Sequence, residues 1–118
     1  MENEMKNRLT EAGTDVESAL ERFMGNEDMF LRFLKRFPDD ANYANLLKAM
    51  EIYDQEAALN ASHTLKGVCG NLLMTTLFDL LAKQVTAFRN GDWHGAARLM
   101  PEIASAYERI TQTVKSLE

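Results

Sequence analysis

Two histidines occur among the 118 residues, and one of them, His63, has neighbours suited to chemistry. On a helical wheel at about 100° per residue, Ala58, Ala61, Leu65, Val68, Cys69 and Leu72 gather opposite His63, while Lys66, Gly67, Gly70 and Asn71 share its side. The first set makes a core stripe, and the second makes a face on which the imidazole points to solvent. A neutral imidazole nitrogen is a nucleophile that needs no strong base. Lys66, one turn on, carries a flexible ammonium able to neutralise an anion held by the ring. Glycine inside a helix costs about 1 kcal/mol relative to alanine, so Gly67 and Gly70 need a reason. On an exposed face they clear side chains so that another molecule can approach. Together these features describe an acceptor for a phosphoryl group arriving on another protein. Leu59 and Met74 border the same face by wheel position and are expected to supply apolar docking contacts.

The elements that must position these residues are helical throughout, because apolar spacings of three and four recur and no period-two alternation is sustained. A short helix is predicted over 14–24, with Thr14 and Glu17 as a capping box and Gly25 at its C′ position. A second starts at Asn26, and Met29, Phe30, Phe33, Leu34 and Phe37 form its core stripe before Pro38 stops it. A third carries Leu46, Leu47, Met50 and Tyr53 and ends near Ile52. Asp54 starts the longer helix over 55–74 that bears His63. Thr75 and Thr76 are expected to cap a further helix with Leu77, Leu80, Leu81, Val85 and Phe88 inward, closed by Asn90 and Gly91. Asp92 caps the last helix, which carries Leu99, Ile103, Ala106, Ile110 and Leu117 and which Pro101 should kink or divide. Short connections between amphipathic helices imply antiparallel neighbours. The expected fold is therefore all-α, an up-and-down antiparallel four-helix bundle with additional short N-terminal helices.

Composition narrows the function classes. The length suits one domain, read as 1–118 without a linker, repeat or low-complexity tail. A formal charge of −5 gives no general attraction for nucleic acid or anionic lipid, so the expected partners are proteins. Cys69 is the only cysteine, which excludes an internal disulfide and points to a reducing, cytoplasmic setting. The polar start and the lack of a long apolar run argue against export or a membrane span. Met1 close to the start of the fold favours a complete small protein. His94 falls in the first turn of the last helix with no cysteine or acidic cluster at ligand spacing, and is read as a surface residue. No metal or cofactor site is expected in this chain, and a monomer is the expected state because no long dimer seam is evident.

The run Ala61-Ser62-His63-Thr64-Leu65-Lys66-Gly67 resembles the phosphorylation motif of histidine-containing phosphotransfer (HPt) domains, alanine-His-x-Leu-Lys-Gly. Gly70-Asn71-Leu72 resembles the residues that follow it in the family, and Gly91-Asp92 the turn between the last two bundle helices. Gly13-Thr14-Asp15, Arg22-Phe23-Met24-Gly25 and the 30–37 stripe resemble the family's N-terminal helices, so the likeness covers nearly the whole chain. His-x-x-Lys-Gly alone would occur in roughly one chain of this length in a hundred; its placement on a bundle helix is what makes it selective. The chain departs from the family pattern at Ser62, usually alanine, and at Leu73, often glycine.

The resemblance implies that His63 Nε2 takes a phosphoryl group from an aspartate of one response-regulator receiver domain and yields it to another. Lys66 would serve as countercharge, Gly67, Gly70, Asn71, Leu59 and Met74 would contribute to docking, and Mg²⁺ would sit on the receiver rather than here. A hybrid histidine kinase is a further expected partner. The chain would be a phosphoryl carrier without kinase or hydrolase activity of its own. A histidine kinase dimerisation domain also presents a helical histidine, but there the next residue is usually acidic; here it is Thr64, and no Gly-rich nucleotide loop is present. The alternative is a binding-only HPt-like module that regulates a kinase or receiver without transferring phosphate.

Overall fold

The computed structural model describes residues 1–117 and builds them from helices, with no strand among the described residues. The helices are α1 (Asn3–Glu11), α2 (Val16–Arg22), α3 (Glu27–Arg36), α4 (Asn42–Glu51), α5 (Gln55–Asn71), α6 (Thr75–Arg89), α7 (Trp93–Arg98) and α8 (Met100–Lys115), with a 3-10 turn at Phe37–Asp39 after α3. The sequence reading places no helix before residue 14, yet α1 is there. Its only fully buried side chain is Leu9, with Met5 partly buried, so its apolar stripe is too thin to register as periodicity. Tertiary contact with α2 and α8 holds it, helped by a hydrogen bond from Arg8 to Ser116.

Four helices start on an Asp or Asn whose side chain accepts from an orphan amide three residues on: Asp15 for α2, Asn26 for α3, Asp54 for α5 and Asp92 for α7. Asp15 replaces the expected Thr14 cap, because Thr14 is itself buried. The expected caps at Thr75 and Thr76 also fail. They lie inside the first turn of α6, and Thr75 Oγ1 instead donates to the carbonyl of Gly13 at 3.3 Å.

Five helices end alike. After α1, α2, α4, α5 and α6 the amide two residues past the C-cap returns to a carbonyl of the last turn, and the residue before it is left-handed. Gly13 and Gly91 fill that position without strain, but Met24, Tyr53 and Leu73 occupy it at φ of 57°, 58° and 54°. Gly25, expected at this position for α2, follows Met24 and is also left-handed.

These reversals let α4 pack on α5 and α5 on α6, while α6 also packs on α7 and α8. The core includes Leu46 of α4, Leu65 and Cys69 of α5, Leu77, Leu81 and Phe88 of α6, and Ile103 and Ile110 of α8. Each large aliphatic side chain fully removed from water there contributes about 1.5–3 kcal/mol before entropy is counted. Tyr43 stacks on Tyr107 with ring centroids 3.7 Å apart, pinning the start of α4 to α8. Pro101 divides the last helix as expected, with the break at Leu99 and Pro101 in the first turn of α8, where a missing amide costs least. Leu47 and Tyr53, expected inside, are exposed: Leu47 lies off the buried side of α4, and Tyr53 sits in the turn beyond it. Phe33 is likewise 43% exposed, because the buried stripe of α3 narrows to Phe30 and Leu34 before Phe37 of the 3-10 turn.

Candidate functional site

α5 bears His63 at its middle, and the ring lies on the exposed side of the helix. Ala58, Ala61, Leu65, Cys69 and Leu72 are buried opposite it, and Val68 is half-buried at the edge of that stripe. Asp54 caps the start of the helix by accepting from the amide of Ala57 at 3.0 Å. At the other end Arg22 of α2 reaches across and donates to the carbonyl of Gly70 at 3.3 Å, placing a cation at the negative pole of the helix.

The predicted neighbours separate into two groups. Lys66 is half-buried one turn after His63 and has no carboxylate partner among the described residues, so its ammonium is available to an incoming anion. Gly67 is exposed, and a Cβ built there would meet nothing within 4 Å, so the surface one turn from His63 is open. Asn71 is exposed at the last position of α5.

Gly70 differs from Gly67, because a Cβ there would lie 3.1 Å from the ring of Phe78 on α6. It is a close-packing glycine rather than cleared ground. Met74 is 1% exposed and belongs to the core, which removes it from the docking rim. Its wheel position assumed a helix through 74; α5 stops at Asn71, and the left-handed Leu73 turns Met74 inward. Leu59 is partly buried against the core and offers only an edge.

Two grooves border the C-terminal half of α5. One, about 450 Å³, lies between α2, α3 and α5; Phe23, Phe33, Phe37, Val68 and Leu72 line it, with Arg22, Arg36 and Asp40 also contributing. Arg36 covers the Phe33 ring at 5.4 Å. The other, about 490 Å³, includes Gly67, Gly70, Phe78 and Asp79, and Arg22 lines both. Sequence reasoning missed Arg22 and the exposed Phe33 as site residues. The signal was the isolated Arg22-Phe23 pair before a turn, which periodicity alone assigns to the end of a small helix.

Sequence reasoning also missed the polar pair behind the histidine. Ser62 and Gln84 are both fully buried, and Ser62 Oγ donates to Gln84 Oε1 at 2.8 Å. A signal was present: Ser62 continues the 58, 62, 65, 69, 72 spacing and Gln84 the 77, 81, 84, 88 spacing, so both occupy core positions of a three-four pattern.

Burial pushes the Cys69 thiol far above its usual range, and the Asp40 carboxylate adds to the effect, so the only thiol is not a nucleophile. His94 is exposed on α7. The described residues contain no group of three or more His, Cys, Asp and Glu side chains able to hold a metal, and no described helix is long and apolar enough to cross a membrane. No family model matches the chain, and no curated protein or solved structure matches it.

Proposed function

We propose that the chain is a single histidine phosphotransfer module of the HPt type, in which α4, α5, α6 and α8 make an up-and-down four-helix bundle and His63 carries the phosphoryl group. The observation that carries this reading is the exposed imidazole at the centre of α5, with Lys66 and the open ground over Gly67 one turn away. Proximity and countercharge are most of what phosphoryl transfer asks of a protein.

In the proposed step the Nε2 lone pair attacks the phosphorus of a receiver's aspartyl phosphate. The N–P bond forms, the acyl P–O bond breaks, and the aspartate leaves as carboxylate. The reverse reaction on a second receiver returns the imidazole. Lys66 stabilises the phosphoryl oxygens, and the receiver brings its own Mg²⁺ and acidic residues. The two grooves beside α5 offer apolar ground for docking, with Arg22 and Arg36 attracting an acidic partner surface against the chain's net charge of −5. Leu73 supports the family likeness from another side: a position often glycine in HPt domains is left-handed here.

The test is to mix the protein with a phosphorylated receiver domain and follow acid-labile phosphate into this chain. His63→Gln should abolish labelling with helicity intact. Lys66→Ala should slow transfer about tenfold without abolishing it, since a countercharge is not the nucleophile. Labelling that survives His63→Gln places the acceptor elsewhere. A stable complex without transfer identifies a binding-only module, and robust labelling by ATP alone refutes the carrier reading.

A further inference from the structure

We infer that Ser62 and Gln84 are positioning residues for His63, holding α5 at the rotation that presents the imidazole; the inference rests on the proposed acceptor role of His63. The inner face of α5 before the histidine is made of small side chains, Ala58, Ala61 and Ser62, all buried. Small side chains interdigitate weakly, so apolar packing alone leaves the rotation of that half of the helix loosely specified. A hydrogen bond is directional and has no such freedom.

Gln84 supplies the direction. Its Oε1 accepts from Ser62, while its Nε2 donates to the carbonyl of Ala96 at 3.1 Å and contacts Met100 Sδ at 3.0 Å. One side-chain amide thereby joins α5 to α7 and to the first residue of α8, across the break that Pro101 imposes. Burying an amide and a hydroxyl is costly where leucine and alanine would pack, and the pair is tolerated because Ser62 Oγ, Gln84 Oε1 and Gln84 Nε2 each have a hydrogen-bond partner. Buried polar pairs of this kind specify register more than they add stability. Ser62 directly precedes His63 and therefore sits about 100° from it around the helix. Any rotation of α5 that breaks the bond swings the imidazole along the surface.

Single and double replacement separate positioning from packing. Ser62→Ala strands the buried Gln84 Oε1 and should lower the urea midpoint. The double variant Ser62→Ala with Gln84→Leu removes both partners and should recover most of that midpoint. The inference predicts that the double variant binds receiver with unchanged affinity, yet transfers phosphate about tenfold or more slowly at saturating receiver. It also predicts broadened or shifted His63 ring resonances in NMR spectra. A double variant that regains stability together with wild-type transfer and wild-type His63 resonances overturns the inference and leaves the pair a packing feature. Ser62→Ala with Gln84→Met, which keeps side-chain length while removing both partners, supplies the same comparison if the first double variant does not fold. Failure of the wild type to accept phosphate refutes the function proposed above, and the His63 resonances then decide the positioning question alone.

Discussion

Replacement of Gly67 separates the demands of folding from those of docking. Gly67 lies inside α5, where glycine costs about 1 kcal/mol relative to alanine. A Cβ there meets nothing within 4 Å and the position is not left-handed, so neither a clash nor backbone strain offsets the gain. Gly67→Ala should therefore stabilise the protein by about 1 kcal/mol. For 118 residues with an unfolding entropy of about 2.1 cal/mol/K per residue, that raises Tm by about 4 °C. Gly67→Gln should retain much of the stability gain, since glutamine is also a good helix former. Its longer side chain would stand one turn from His63, on ground that a docking receiver is proposed to occupy. Thermal melts followed by far-UV circular dichroism give the first quantity, and single-turnover transfer from a phosphorylated receiver gives the second. The expected result is a more stable protein that transfers at least tenfold more slowly in the Gln variant. A lower Tm for Gly67→Ala would refute the open-space argument, and undiminished transfer by Gly67→Gln would refute the docking role. Gly70→Ala is the internal contrast: its Cβ would press on Phe78 at 3.1 Å, so the same helix-propensity gain should be largely cancelled.

Three other outcomes are expected. Met24 is left-handed at φ 57° and 93% exposed, so Met24→Gly relieves strain without losing packing; after the added freedom of the unfolded chain is subtracted, urea denaturation should show a gain of about 0.5–1 kcal/mol. The Cys69 thiol, buried and held protonated, should resist Ellman's reagent in the native protein and react once urea unfolds it; fast native labelling would contradict its burial. The Asp15 carboxyl lies below its ordinary value of 3.8, first through the Ser18 hydroxyl and then through the Ser18 amide. A lowered folded-state value means that this contribution is fully present above about pH 4 and is lost as the pH falls through the folded value. Asp15→Asn should accordingly flatten the acid limb of the stability profile, and an unaltered limb would show that the cap does not couple to folding.

Much of the fold was legible because its cues are local. Asp54 and Asp92 cap helices by accepting from nearby amides, Gly91 turns the chain where only glycine is unstrained, and Pro101 breaks the last helix by lacking a donor. The outward placement of His63 followed from 3.6-residue periodicity, which places a whole helix face once its apolar stripe is recognised. α1 was not legible, since one buried leucine makes no periodic pattern and contact with α2 and α8 secures it.

Within the candidate site the division is sharper. Sequence alone determined that His63, Lys66 and Gly67 share one face, because they lie on a single helix whose geometry relates them. Tertiary structure alone decided that Gly70 faces Phe78, that Met74 turns into the core after Leu73, that Phe33 lines a groove, and that Ser62 meets Gln84 across helices. Each of these depends on where a second element lies, and periodicity along one helix carries no information about that.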